Sequence, residues 1–229
     1  MKTLVIARHG NTFRPGETPT RVGSRTDLPL VEEERARGIG RYLLRLGLTP
    51  SRILAAPLQR TLHTAELAAE ELGSPCAVTP DPRFVEIDYG PDENKTEPEV
   101  MERLGRAACA AQGQDAAALS AEQLQELGAQ AIELWNSHAI VPADWKVDVP
   151  AVIRNWQELA DEIREGETLL CVSSNGAIRF APHITGDYAA FCAEHDIKVP
   201  TGGVCIFTCT ADGAWRCKEW GVKAFKKCD

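Results

Sequence analysis

The chain has 229 residues, 44% of them hydrophobic, with a formal charge of −8 and a pI near 5.2. That length suffices for one sizeable core and falls short of two full domains, so the expectation is a single domain over 1–229 with one insertion. The negative balance argues against wholesale binding of nucleic acid or an acidic membrane, and no apolar run reaches the roughly 18 residues of a membrane span.

A small partner, no nucleic acid, no membrane and a cytoplasmic location are therefore expected, and a homodimer stays open as the assembly. The eight cysteines are spread along the chain without a Cys-x-x-Cys pair, and no secretory signal is read ahead of them. Reduced thiols are expected, with Cys171, Cys205, Cys209 and Cys217 in apolar stretches as small core residues. Cys192 and His195 have a Cys-x-x-His spacing, but no second ligand pair answers it, so no metal and no cofactor are expected.

In chain order, Thr3 to Ala7 is a continuous apolar run that predicts a strand buried on both faces and ending at Arg8-His9-Gly10. Such strand ends are where open parallel sheets bind ligands. Ala36, Ile39, Leu43 and Leu46 follow helical spacing despite Gly38 and Gly40, each costing about 1 kcal/mol against alanine. Ile53 to Ala56 predicts a second strand. Leu58, Leu62, Ala65, Ala69 and Leu72 then mark the clearest amphipathic helix, stopped by Gly73-Ser74-Pro75. Cys76 to Thr79 is a third candidate strand. From Gly90 to Pro150 helical patterns replace strands, with a capping box at Ser120 and Gln123 ahead of Leu124, Leu127, Ala131 and Trp135. The segment at about 91–150 is expected to be a helical insertion covering the sheet edge, and His138 on it a packed or surface residue. Thr168 to Val172 predicts another buried strand. Val204 to Thr208 and Trp215 to Val222 flank the tight reversal at Asp212-Gly213, which predicts an antiparallel edge hairpin.

Arg8-His9-Gly10-Asn11-Thr12, at the end of the first strand, resembles the signature of the histidine phosphatase (phosphoglycerate mutase-like) superfamily, in which the histidine attacks phosphorus. The residues support that chemistry on their own terms. An imidazole with an ordinary pKa of about 6.5 is a competent nucleophile near neutrality, and a guanidinium holds phosphate oxygens through paired hydrogen bonds. Gly10 permits close approach to an anion, while Asn11 and Thr12 supply neutral polar groups. The bland alternative is a histidine that merely ends a strand.

Later segments resemble the family in its order. Ala56-Pro57-Leu58-Gln59-Arg60-Thr61-Leu62-His63-Thr64-Ala65 resembles its second segment, which implies that Arg60 is a second phosphate clamp at a helix start, where free N–H groups favour anions. His63 either orients a neighbour or is structural. Phe84-Val85-Glu86-Ile87-Asp88-Tyr89-Gly90 resembles the third, implying that Glu86 is the general acid for the leaving oxygen; Asp88 competes for that role. The tryptophan and second glycine often found just beyond are absent, with Asp92 and Asn94 in their place.

The main departure is at Cys171-Val172-Ser173-Ser174-Asn175-Gly176-Ala177-Ile178-Arg179. Ser174 stands where the resemblance implies a second histidine, and the loss of one such donor costs on the order of 10²–10³ in rate in comparable sites. Ser174 and Asn175 remain as neutral phosphate-binding donors, or Ser174 is an ordinary helix cap. A rescue by His183 would require it to reach back from a later turn. Arg14, Arg21 and Arg25 form a basic loop that either draws in an anionic substrate or is solvated.

The resemblance implies a three-layer αβα sandwich with a mostly parallel sheet and an antiparallel edge strand, no metal, and a phosphohistidine intermediate. Hydrolysis of a small phosphorylated metabolite is the first functional reading. Mutase-type phosphoryl transfer is the second, and a degenerate pocket that binds without turnover the third.

Overall fold

A computed structural model of the chain describes residues 1–226. In chain order the elements are β1 (Lys2–Arg8), α1 (Glu34–Arg45), β2 (Arg52–Ala55), α2 (Gln59–Leu72), β3 (Val78–Pro80), α3 (Glu97–Ala111), α4 (Ala121–His138), α5 (Val149–Glu162), β4 (Thr168–Ser173), α6 (Asn175–Ile178), α7 (Tyr188–Glu194), β5 (Gly203–Cys209) and β6 (Trp215–Lys223). The chain divides into two compact units, one of Met1–Pro15, Asp27–Glu86 and the residues from Pro150 onward, the other of Gly16–Thr26 and Ile87–Val149.

The first unit is an α/β sandwich on a six-stranded sheet of order β3-β2-β4-β1-β5-β6. The strands β1 to β4 are parallel, β5 is antiparallel to β1, and β6 to β5, so the antiparallel hairpin forms one edge. Residues alternate between faces along each strand. Val5, Ala7, Leu170 and Val172 meet Ile39, Leu43, Ala65 and Ala68 of α1 and α2. Leu4, Ile6, Leu169 and Cys171 point the other way and are also fully buried. On that second face the Ser173 hydroxyl donates to the Phe84 carbonyl at 2.6 Å, and Phe84 packs against the buried Trp156 of α5 in a tilted arrangement, with ring centroids 4.4 Å apart and planes at 42°.

The two glycines of α1 are contact points. A Cβ on Gly40 would lie 2.5 Å from the Ala68 carbonyl oxygen of α2, and one on Gly38 2.8 Å from Phe225. Their propensity cost allows α1 to sit close against its neighbours. Two boundaries differ from the sequence reading. Leu46 is the residue after α1 and is 42% exposed, because the chain turns at Gly47 with φ +68°. The third strand begins at Val78, not Cys76, whose thiol instead turns to the Ser51 carbonyl at 3.2 Å. Cys171 and Cys205 are buried as expected, Cys209 and Cys217 only in part, and the described cysteines are free thiols.

In the second unit, α3 and α4 form an antiparallel pair. Its closeness depends on Gly105 and Gly128: a Cβ at either would come within 1.9 Å or 1.8 Å of the Leu124 or Met101 carbonyl oxygen, respectively. The Ser120–Gln123 capping box starts α4, and His138 at its end is exposed. Arg21 lies over the Tyr89 and Trp145 rings and bonds to Glu97 at 2.6 Å. The fully buried Asp92 accepts from Arg103 at 2.6 Å and Trp145 Nε1 at 2.7 Å. Among the described residues, no helix is long and apolar enough to cross a membrane.

Candidate active site

The strands β1 and β4 are adjacent and parallel, so both deliver their next residues to one sheet edge. Arg8 pairs with Ser173, and the His9 N–H donates to the Ser173 carbonyl at 3.1 Å. His9 is only 6% exposed, and its Nδ1 lies 2.7 Å from the Gly10 carbonyl oxygen. A carbonyl can only accept, so Nδ1 carries the hydrogen and, in the neutral ring, Nε2 keeps the lone pair. Burial, and then the positive charges of Arg8 and Arg60, hold the His9 pKa well below 6.5, outweighing the opposite pull of the Gly10 carbonyl. The imidazole is therefore neutral at physiological pH.

Arg60, the second residue of α2, is fully buried. The Thr61 hydroxyl, 2.6 Å from the Ala56 carbonyl, ties the start of this helix to the end of β2. One turn later, the Thr64 hydroxyl donates to the Arg60 carbonyl at 2.6 Å and accepts from the Gly10 N–H at 3.1 Å. Thr64 thus joins the two segments that carry the imidazole and the second guanidinium. Arg8 is oriented from elsewhere, its Nη1 donating to the Val199 carbonyl at 2.6 Å.

Glu86 follows the short turn Pro82–Phe84 and is 6% exposed. The Ser173–Phe84 bond holds this loop at the end of β4, and the Gly176 N–H approaches Glu86 Oε2 at 3.4 Å. Arg8 and Arg60 thus bring two positive charges to bear on the buried His9, and Glu86 lies in the loop held at the end of the neighbouring β4. A neutral imidazole with a lone pair on Nε2, two permanent cations and a carboxyl group are the kinds of group that chemistry at a phosphoryl centre uses.

A family model for the histidine phosphatase superfamily (branch 1) matches residues 4–223. The chain belongs to that superfamily. It is similar to the probable phosphoglycerate mutase GpmB of Salmonella paratyphi A, with 32% identity over 131 residues, covering 56% of this chain and 58% of the relative, under two thirds of its length. Its fold is that of phosphoglycerate mutase from Bacillus anthracis str. Sterne, with a TM-score of 0.69, 20% identity and coverage of 99% and 96% of the two chains. It is equally that of mycobacterial glucosyl-3-phosphoglycerate phosphatase with inorganic phosphate, with a TM-score of 0.67, 18% identity and 98% and 99% coverage.

In this superfamily member, Ser174 is the N-cap of α6 and fully exposed to no solvent, at 0%. Its hydroxyl makes no cap bond and has no hydrogen-bond partner among the described residues. The helix expected after β4 is a single turn, Asn175–Ile178, so its dipole contributes little. The Asn175 Oδ1 accepts from the Val199 N–H at 2.8 Å, and the Asn11 Oδ1 from the Thr201 hydroxyl at 2.6 Å.

The other sequence candidates have other surroundings. Thr12 and His63 are half-buried and Arg14 is exposed. Arg21 is paired with Glu97, and Arg25 with Asp88 at 2.9 Å, so acids within their own unit balance these loop charges. Asp88 also accepts from the Gly90 N–H at 2.8 Å, and although burial opposes it, these bonds keep its carboxyl below the usual range. His183 stacks on Tyr188, with centroids 3.9 Å apart, and burial lowers its pKa. Sequence reasoning gave no role to Thr64, although it lies in the quoted second segment, and missed Val199 and Thr201. Thr64 had a signal, its i,i+4 spacing from Arg60 on one helix face. Val199 acts through its backbone, which leaves no mark in the side-chain pattern.

Proposed function

We propose that this chain is a phosphomonoesterase that acts through a phosphohistidine at His9 on a small phosphorylated metabolite. The observation that carries the reading is the His9–Gly10 hydrogen bond in a buried, doubly cationic setting, since it leaves a neutral Nε2 lone pair for attack. In this reading Arg8 and Arg60 hold the phosphoryl oxygens, with Asn11, Thr12, Ser174 and Asn175 as neutral donors. Nε2 forms the P–N bond as the ester P–O bond breaks, and the leaving oxygen takes a proton from the Glu86 carboxylic acid. Water then attacks phosphorus, giving its proton to the Glu86 carboxylate, and inorganic phosphate leaves with His9 restored. Two permanent guanidinium charges supply much of the electrostatic stabilisation, which is why Ser174 in place of a second imidazole slows the reaction without removing its nucleophile.

The names of the relatives include mutases as well as phosphatases, which favours intramolecular phosphoryl return as a second reading. A panel of phosphomonoesters, assayed for phosphate release with wild type, His9→Ala and Ser174→His, tests the proposal. Release abolished by His9→Ala and unchanged or raised by Ser174→His is expected, together with an acid-labile, base-stable phosphoprotein on rapid quenching. Isomerised phosphoesters without net release would select the mutase. Binding of phosphate ligands without turnover would select a pocket that no longer catalyses.

A further inference from the structure

The loop Val199–Gly202 leads into β5, carries none of the residues on which the family resemblance rests, and makes polar contacts with three side chains of the candidate pocket. The Val199 carbonyl accepts from Arg8 at 2.6 Å and its N–H donates to Asn175 Oδ1 at 2.8 Å, while the Thr201 hydroxyl lies 2.6 Å from Asn11 Oδ1. The Gly202 N–H is shared between the Arg8 and His9 carbonyls, at 3.1 and 3.0 Å. The loop is thus attached to both ends of the nucleophile segment.

The direction of the hydrogen bonds is decided at Arg35. Its Nη1 lies 2.9 Å from the Thr201 hydroxyl oxygen. A guanidinium has donors and no acceptor, so this bond uses a lone pair of the hydroxyl, whose single hydrogen must then go to Asn11. Only the carboxamide oxygen of Asn11 can accept it. The amide is thereby fixed with its NH2 group directed away from Thr201, and among the described residues that NH2 has no hydrogen-bond partner. Arg35 is itself held by Glu32, at 3.4 Å, and by the Phe225 ring, 4.5 Å below its guanidinium. The Val199 N–H, another obligate donor, fixes the Asn175 amide in the same sense.

We propose that Thr201, backed by Arg35, is a positioning residue that sets the Asn11 carboxamide so that its NH2 group is the donor offered to a phosphoryl oxygen. The relay rests on the reading of this edge as an anion pocket and deepens it. The same loop orients both the Asn11 and the Asn175 amide, and in that reading these neutral donors serve a pocket in which Ser174 supplies no charged one. Because Arg35 is permanently charged, the relay polarises the Thr201 hydroxyl and the amide in series, which strengthens the outer N–H groups.

Binding of inorganic phosphate and of vanadate, measured by calorimetry, tests the relay without requiring turnover. Thr201→Val keeps the shape and removes the hydroxyl; about tenfold weaker binding is expected, as for a hydrogen bond to a charged group. Thr201→Ser should restore binding to within about twofold, and Thr201→Val placed in Asn11→Ala should add less than about twofold, since both changes remove the same interaction. Arg35→Met gives a second route if Thr201→Val does not fold; about threefold weaker binding that vanishes in Asn11→Ala is expected there. A loss of equal size with and without Asn11, or no loss in the wild-type background, overturns the relay. A wild type that binds neither anion overturns the pocket reading itself.

Discussion

The Gly10 N–H donates to the Thr64 hydroxyl at 3.1 Å, and that hydroxyl donates in turn to the Arg60 carbonyl at 2.6 Å. One buried side chain therefore joins the strand end that carries His9 to the helix that carries Arg60. Thr64→Val keeps the volume and leaves the Gly10 N–H and a helix carbonyl without this partner. A loss of about 1–3 kcal/mol in urea unfolding is expected, with Thr64→Ser recovering most of it. Phosphate release should fall further than stability alone accounts for, measured well below the melting transition.

Ser174 gives a prediction of the opposite sign. Its hydroxyl is buried at 0% exposure and has no partner among the described residues, so it contributes a desolvation cost to the free protein. Ser174→Ala is expected to be neutral or up to about 1 kcal/mol more stable in thermal unfolding without ligand. Inorganic phosphate should nevertheless bind more weakly to the variant. A variant that loses stability and keeps its phosphate affinity would remove Ser174 from the pocket.

The buried imidazole of His9 makes stability depend on pH. Its pKa in the folded protein lies below 6.5 because of burial and the two guanidinium groups, so the unfolded chain takes up the proton first. Stability is undiminished above about pH 6.5, where both states are neutral; it is lost as pH falls from there toward the folded-state value, and the slope ends below it. His9→Asn should show a shallower decline between pH 7 and 5 in urea midpoints. His183, shifted in the same direction by burial, is present in both proteins and cancels. For the same reason, if His9 is the nucleophile proposed above, a pH–rate profile should show no inflection at the ordinary imidazole pKa of about 6.5.

Gly40→Ala tests the close approach of α1 to α2. Helix propensity alone would make the alanine more stable by about 1 kcal/mol. The added Cβ would lie 2.5 Å from a backbone carbonyl oxygen of α2, which cannot move aside cheaply. A net loss of roughly 1–3 kcal/mol in urea unfolding is expected.

Much of this was legible without coordinates. The apolar run to Ala7 does form a strand buried on both faces, and Gly73 does stop α2, with φ +57°. The Asp212-Gly213 reversal does join an antiparallel edge pair. These features depend on neighbours in sequence, through side-chain alternation, helical spacing and the conformational freedom of glycine. Of the residues the motifs picked out, His9 follows β1, Arg60 opens α2 and Ser174 precedes α6, positions that local sequence specifies, whereas Glu86 lies in a loop beyond the Pro82–Phe84 turn.

The one-dimensional text could not say which amide atom of Asn11 meets Thr201, why two glycines belong in a good helix, or that Arg21 and Arg25 meet Glu97 and Asp88. Hydrogen-bond direction at Asn11 follows from Arg35 through Thr201, three residues from three separate segments. Local sequence determined which elements form and in what order, with boundaries shifted at Leu46 and Cys76, since backbone conformation answers mainly to adjacent residues. Tertiary structure alone decided donor direction, charge pairing and the burial that keeps His9 neutral, because those depend on atoms that only folding brings within a few ångströms.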